Sequence, residues 1–111
     1  MPPMPDDLAD LADSGRFADP SIHILVALGD GPKHGYAIMA EVEALSARPL
    51  GPGTLYGALA RLEKRGLIEA LEPEERRHPY QLTMAGRAVL KAQLGRLEGL
   101  VRTGIARIGP E

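Results

Sequence analysis

The chain has 111 residues with 44% hydrophobic and 25% charged side chains, which is enough for one ordinary globular domain. It contains no cysteine, so disulfides and thiolate metal sites are excluded and a reducing cytoplasm fits. No run of about 18 apolar residues could span a membrane, and no basic region followed by an apolar stretch indicates a secretory signal.

The formal net charge of −2 is distributed unevenly along the chain. Residues 1–19 contain five aspartates against Arg16, a balance of −4, so residues 20–111 carry +2. The cations form two clusters, which comprise Arg61, Lys64 and Arg65 in one segment and Arg76 and Arg77 in another. Contact with phosphates needs such a local cluster rather than a positive net charge. A plain solvated face is the alternative, and the charges alone do not decide between the two.

Composition and periodicity divide the chain into three parts. Residues 1–19 are predicted to be an acidic, flexible tail, because prolines and aspartates outnumber large apolar side chains there. Residues 20–83 are predicted to form a mainly α-helical domain with a small β-wing, and residues 84–111 a C-terminal dimerisation helix.

Two helices are predicted at the start of the domain. The first begins at Pro20 with Asp19 as its N-cap and ends in the turn formed by residues 29–32. The second runs from His34 to Leu45, because apolar residues recur at helical spacing at Ile38, Met39, Val42 and Leu45. The connection that follows leaves room for one short strand at Arg48 to Leu50.

A third helix is predicted from Pro52 to Arg65, with Gly66 in the left-handed position after its end. Its core stripe consists of Leu55, Leu59 and Leu62. The opposite face is small near the helix start and basic further along; it carries Gly53, Gly57, Ala60, Arg61 and Lys64, with Thr54 and Tyr56 on its flanks. Such a face suits a helix that approaches another molecule closely and reaches it with long cationic side chains.

A two-stranded wing is predicted next. Leu67 to Leu71 reads as a strand, and Tyr80 to Leu82 reads as its antiparallel partner. The loop between them is polar, flanked by prolines, and contains Arg76 and Arg77. Two strands joined by a charged loop, directly after a helix-turn-helix pattern, describe a winged helix-turn-helix.

The last helix is predicted from Met84 to Ile108, with Thr83 as its cap. A heptad seam runs along it, and the predicted dimerisation residues are Leu90, Leu94, Leu97, Val101, Ile105 and Ile108. A helix of about 25 residues is about 37 Å long, which exceeds what so small a domain needs. We therefore expect it to pair with a second copy of the chain, the alternative being that it folds back on its own domain.

Three motifs in this order resemble the PadR family of winged-helix transcriptional regulators, in its compact subgroup with a single C-terminal helix. They are His34-Gly35-Tyr36-Ala37-Ile38, the segment Gly53 to Ile68 with its Leu-Tyr pair and Arg-Leu-Glu run, and Tyr80-Gln81-Leu82-Thr83-Met84-Ala85-Gly86. The resemblance extends over roughly residues 22–90. Two features depart from the family pattern: Gly57 stands where proline is usual, and the absence of tryptophan argues against a drug sandwiched between aromatic rings.

The resemblance implies a homodimeric repressor or activator that binds a pseudo-palindromic operator in double-stranded DNA. It also implies that a small-molecule effector that binds at the dimer interface could release the protein from its operator. A winged helix that binds a protein partner through the same face, without specific DNA binding, is the alternative from another class. A sensor whose main event is ligand capture is a third, although the sequence supplies few polar anchors for a ligand.

Each candidate DNA contact has an alternative in which the residue does not read the DNA sequence or does not contact DNA. Tyr56, by its match to the family motif, and with it Tyr36, Lys64 and Arg65, are predicted to contact phosphates; the two tyrosines could instead only pack. Thr54 and Arg61 are predicted to reach base edges, with Gly53 and Gly57 allowing close approach, whereas Arg61 could contact phosphate alone. In the wing, the candidates for a minor groove or flanking phosphates are Arg76, Arg77 and His78, the alternative being a solvated hairpin tip.

Neither catalysis nor a cofactor is expected. The three histidines, His23, His34 and His78, are scattered and have no partners at metal-ligand spacing. No nucleophile–base arrangement and no phosphate-binding glycine loop with its lysine occurs. The sequence therefore predicts a protein that is not an enzyme.

Overall fold

A computed structural model describes residues 19–109 of the chain. The elements in this range are α1 (Ser21–Ala27), β1 (Lys33–His34), α2 (Gly35–Ser46), α3 (Pro52–Lys64), β2 (Ile68–Ala70), β3 (Pro79–Leu82) and α4 (Met84–Ile108). The mainly α-helical architecture with a small β-wing is the one predicted. The predicted flexibility of residues 1–18 falls outside the described residues.

The core lies where α1, α2 and α3 meet the sheet. Its largest fully buried side chains are Ile24, Leu28, Ile38, Leu55, Leu59, Leu62 and Ile68. The predicted leucine stripe of α3 is confirmed, since all three leucines are at most 1% exposed. Leu45, predicted on the apolar face of α2, is half exposed, because it lies in the last turn of that helix.

The end of α3 follows the prediction made for Gly66. Gly66 has a φ of 75°, and its N–H donates to the carbonyl of Glu63. The N–H of Leu67 donates to the carbonyl of Leu62, which completes a Schellman motif. The left-handed glycine thus turns the chain directly from α3 into β2.

The sheet has three antiparallel strands in the order β1-β3-β2. Strands β2 and β3 pair as predicted, with Ile68 opposite Leu82 and Ala70 opposite Tyr80. Strand β1 was not predicted, because two residues are too few to show a period. We refer to β2, β3 and the loop between them, residues 68–82, as the wing.

The strand predicted at residues 48–50 is wrong. Ala47 ends α2 with a φ of 57°, and the segment up to Leu50 has no regular structure. The N–H of Leu50 donates to a carboxylate oxygen of Glu43 at 2.7 Å. A side chain of α2 therefore satisfies the backbone group that a strand would have paired.

The start of α4 is fixed to the wing by Thr83 and Gly86. Thr83 Oγ1 accepts from the N–H of Gly86 at 2.9 Å, which confirms the predicted cap, and donates to the carbonyl of Gly66 at 2.6 Å. Gly86 is buried, and a Cβ at this position would overlap the carbonyl of Leu67. Glycine is needed here because the first turn of α4 presses directly on the backbone that leads into β2.

Beyond its first two turns, α4 extends away from the domain. Every residue from 91 to 108 is exposed, so the alternative that this helix folds back on its own domain is wrong. The molecule is accordingly elongated, with principal extents of 54 × 27 × 21 Å. None of the helices within residues 19–109 combines the length and hydropathy that crossing a membrane requires.

Candidate nucleic-acid interface

The exposed side of α3 is the candidate interface. We call it the outer face, and it consists of Gly53, Thr54, Tyr56, Gly57, Ala60, Arg61 and Lys64. All of these are exposed except Gly57, which is half-buried. The N-terminus of α3 begins with Gly51 and Pro52 and has no side-chain cap, so the N–H groups of its first turn face solvent without a side-chain acceptor. Such a helix end attracts anions.

Tyr56 is positioned by a glycine of another motif. A Cβ at Gly35, the first residue of α2, would lie 2.5 Å from Tyr56 Oη and 3.0 Å from its ring. The phenol end of the ring therefore packs against the start of α2, while half of the side chain remains exposed. Tyr56 therefore packs within its own chain, and its exposed half leaves the predicted phosphate contact open.

Two further tyrosines, Tyr36 and Tyr80, belong to α2 and β3. Tyr36, in the first turn of α2, is 70% exposed and available to a partner molecule. Tyr80, on β3, is half-buried; burial raises the pKa of its phenol above the ordinary value, and Glu63 and Tyr56 raise it further. The phenol of Tyr80 therefore stays protonated at neutral pH. Sequence analysis did not indicate this role of Tyr80, because the interaction joins residues of α3 and β3 that are distant along the chain.

The cations of the first cluster lie at the end of α3. Arg61 and Lys64 are on its last turn and Arg65 is its C-cap, and all three are exposed. A Cβ at Gly57 would be 3.6 Å from Nη1 of Arg61, so this arginine lies back along its own helix. Its Nη2 is 3.5 Å from Oδ1 of Asp19, a long-range ion pair that the sequence did not indicate.

The wing presents Arg76 and Arg77 at a tight turn. The N–H of Glu74 donates to the carbonyl of Arg77 at 2.6 Å, and the reverse bond is 3.0 Å. Glu75 has a φ of 61°, a left-handed conformation that favours glycine. Both arginines are exposed, as a contact with DNA would require.

Two other polar side chains of the wing, Glu74 and His78, are engaged within the chain. Glu74 Oε1 is 3.1 Å from Nε2 of His34, the residue that precedes α2. His78, a further candidate for DNA contact, lies with Nδ1 3.3 Å from the carbonyl of Leu71. Glu74 is thus turned toward β1, whereas Glu72 and Glu75 are exposed in the same loop as the two arginines.

Lys33 is a second residue whose role the sequence did not indicate. Its side chain is only 18% exposed, and Nζ donates to the carbonyl of Ala27 at 2.6 Å and to the carboxylate of Asp30. The hydrogen bond and the charge of Lys33 hold the pKa of Asp30 below its usual value. Lys33 thus closes the turn after α1 and fixes β1 beside the wing.

Five of the six predicted dimerisation residues lie exposed on one face of α4, and Leu100 joins them there. We call this set the apolar seam; it consists of Leu94, Leu97, Leu100, Val101, Ile105 and Ile108, which are 43% to 84% exposed. The prediction that Leu90 is a dimerisation residue is wrong, because Leu90 is 7% exposed and belongs to the core of its own chain. The seam therefore starts four residues later than predicted, at Leu94, where α4 has left the domain.

The described part of the chain, residues 19–109, contains no group of three His, Asp or Glu side chains arranged to hold a metal ion. Its candidate chemistry is that of a binding surface, which consists of the exposed start of α3, one exposed tyrosine on each of α2 and α3, and five cations on α3 and the wing.

Comparison with known proteins identifies the family. The model of the PadR-like family of transcriptional regulators matches residues 24–92. The chain is 49% identical over 89 residues to an uncharacterized 37.1 kDa protein in transposon TN4556 of Streptomyces fradiae, covering 78% of this chain and 26% of that protein. It therefore spans about a quarter of that relative's length.

Two further relatives match over most of their length. Transcriptional regulator Rv3488 of Mycobacterium tuberculosis is 37% identical over 84 residues, covering 73% of this chain and 78% of that protein. The crystal structure of a PadR family transcription regulator from hypervirulent Clostridium difficile superposes with a TM-score of 0.73 at 27% identity, covering 81% of this chain and 98% of that one. Since the family model includes all three motifs and more than half of the residues, the chain belongs to the PadR-like family of transcriptional regulators.

Proposed function

We propose that the protein is a homodimeric repressor, acting in the cytoplasm, that binds a pseudo-palindromic operator in double-stranded DNA through α3 and the wing. The observation that carries this proposal is the outer face of α3, which offers glycines, Thr54 and cations to solvent while buried leucines anchor the helix. A helix with such a face fits the major groove, where long side chains reach phosphates and base edges.

The residues divide between positioning and sequence reading. The hydroxyl of Tyr56, which packs against Gly35, would donate a hydrogen bond to a phosphate oxygen. The further phosphate contacts would come from Tyr36, Lys64 and Arg65. Thr54 and Arg61 would reach base edges, because arginine can donate two hydrogen bonds to guanine. Gly53 supports a close approach, since nothing lies within 4 Å of a Cβ at this position. The wing would contribute Arg76 and Arg77 to the minor groove or to flanking phosphates.

The apolar seam of α4 supports the dimer. Six large apolar side chains along one helix face remain in contact with water in the single chain. Pairing two seams removes them from water, which is the main driving force of association. A two-fold dimer would present two α3 helices to half-sites separated by about one turn of DNA, or 34–36 Å.

The dimer interface is also where we propose that a small-molecule effector acts. A molecule that changes the packing of the two α4 helices changes the spacing of the two α3 helices. Because both half-sites must be occupied together, a small change in this spacing would release the operator.

Titration of the protein into labelled duplexes over a salt series tests the proposal. One duplex carries the DNA upstream of the gene, and another of equal length carries unrelated sequence. We expect tighter binding to the upstream duplex and a linear fall of log K with log salt, because phosphate contacts release counterions. Absent or salt-insensitive binding would reject DNA recognition and favour a protein-interaction module.

Two variants separate sequence reading from positioning. Arg61→Ala should weaken upstream binding by about 1–3 kcal/mol and reduce the preference over unrelated DNA. Tyr56→Phe removes only a hydroxyl and should weaken binding to both duplexes equally. If Arg61→Ala also weakens both duplexes equally, Arg61 contacts phosphate only.

A further inference from the structure

Asp19 connects the start of the domain to the outer face of α3. Its Oδ1 accepts from the N–H of Ser21 at 3.1 Å and from the Ser21 hydroxyl at 2.6 Å, and lies 3.5 Å from Nη2 of Arg61. Partial burial raises the pKa of Asp19, but the bonds from Ser21 and the charge of Arg61 outweigh it and leave the pKa below its usual value. An ionised carboxylate is therefore held beside the arginine that the proposed function assigns to base reading.

We propose that the acidic segment, residues 1–19, is an intramolecular competitor of DNA for the cationic end of α3, with Asp19 as its anchor on Arg61. The inference rests on the proposed function of α3. The segment contains Asp6, Asp7, Asp10, Asp13 and Asp19 with one arginine, whereas the end of α3 carries Arg61, Lys64 and Arg65. The charges of the two parts are complementary.

The distances along the chain allow this competition. Asp13 lies six positions before Asp19, and an extended chain covers about 3.3 Å per position, or about 20 Å in all. The 13 residues of α3 are about 20 Å long. Carboxylates of the segment can therefore reach any part of the outer face from the Asp19 anchor.

DNA binding and the Asp19–Arg61 pair oppose each other. A phosphate or guanine bound by Arg61 comes close to the carboxylate of Asp19, and the phosphate repels that charge. The pair must therefore open when α3 enters the groove. Both side chains of the pair are exposed, so salt screens their attraction. We therefore expect the pair to weaken DNA binding moderately, and most at low ionic strength.

Asp19→Asn provides the first test. Asparagine keeps the oxygen that accepts from Ser21 but removes the charge that attracts Arg61. In the full-length protein we expect the affinity for the upstream duplex, measured by fluorescence anisotropy at low salt, to rise about two- to fivefold. The gain should shrink as salt is raised, since salt already weakens the pair in the unaltered protein.

A second variant changes the segment and leaves the anchor intact. Replacing Asp6, Asp7, Asp10 and Asp13 together by asparagine should also raise the affinity and make the salt dependence steeper. The matched control is Glu98→Gln, which makes the same unit change in charge as Asp19→Asn on the exposed part of α4. It should leave the affinity nearly unchanged.

The outcomes distinguish this inference from the proposed function. If the unaltered protein binds DNA and neither set of substitutions tightens binding beyond the Glu98→Gln control, the competition is refuted and the DNA-binding proposal stands. If no form of the protein binds DNA, both fail together. Circular dichroism melting curves verify that each variant is folded.

Discussion

Two glycines mark the closest approaches between elements of this fold, and each brings two of the sequence motifs together. Gly35 lies under the ring of Tyr56, so that the start of α2 and the outer face of α3 share one contact. Gly86 lies against the carbonyl of Leu67, so that α4 is fixed to the entry of the wing. Family motifs at these positions therefore reflect the geometry of the interface and not only its chemistry.

Gly86→Ala tests this geometry at one residue. The added methyl would overlap the Leu67 carbonyl, so α4 must shift from the wing, and we expect a loss of about 1–3 kcal/mol in the free energy of unfolding. This loss should appear although alanine favours the helix by about 1 kcal/mol. Urea unfolding measures the change.

Gly95→Ala is the matched control on the same helix. Nothing lies within 4 Å of a Cβ at Gly95, so helix propensity should dominate and stabilise the protein by up to about 1 kcal/mol. Equal effects at both positions would show that the contact between Gly86 and Leu67 does not constrain the fold.

The elements with a clear pattern were predictable from the sequence, and those fixed by distant contacts were not. Helix α3 and the wing follow from their periodicity and from Gly66. Strand β1 is too short to carry a period, and the Glu43 carboxylate replaces the strand expected at residues 48–50. For the site, periodicity correctly placed Arg61 on the outer face, but its pairing with Asp19 joins residues 42 positions apart. No local pattern encodes that contact.

The turn at the tip of the wing places Glu75 in a backbone conformation that is unfavourable for glutamate. Glu75 occupies the first central position of the turn between Glu74 and Arg77, with a φ of 61°. The preferred two-residue hairpin turns require a positive φ at this position and select Gly, Asn or Asp. A glutamate there costs conformational energy and also opposes the charge of Arg76.

Glu75→Gly should therefore stabilise the turn and strengthen DNA binding, and Glu75→Gln separates the two effects. Both variants remove the charge, so both should raise the DNA affinity. Only glycine also relieves the left-handed strain, so we expect its turn to be more stable than that of the Gln variant by about 0.5–1 kcal/mol. Hydrogen exchange of the Glu74 and Arg77 amides, which donate within the turn, reports this difference. Faster exchange in the glycine variant than in the glutamine variant would contradict it.

At the scale of the whole molecule, α4 is a helix of 25 residues that extends beyond the domain it starts from. Only Gly86 and Leu90 of this helix are buried in the single chain. The domain therefore stabilises the first two turns of α4. The remaining turns carry the apolar seam, which is exposed to solvent in the single chain. Dimer formation and DNA binding are linked in the proposed function, because the seam sets the distance between the two outer faces.

Leu97→Glu tests this link, because it places a charge in the middle of the seam without removing a core side chain. We expect the monomer to stay folded, the dimer to dissociate, and binding to a full upstream site to fall by about two orders of magnitude or more, since avidity is lost. Ala92→Glu, which makes the same change in charge at an exposed position off the seam, should preserve the dimer. Analytical ultracentrifugation gives the mass relative to the 11.9 kDa chain, and anisotropy on full and half sites gives the affinity. A Leu97→Glu protein that remains dimeric, or that loses half-site and full-site binding equally, would show that α4 does not couple two DNA-binding domains through this seam.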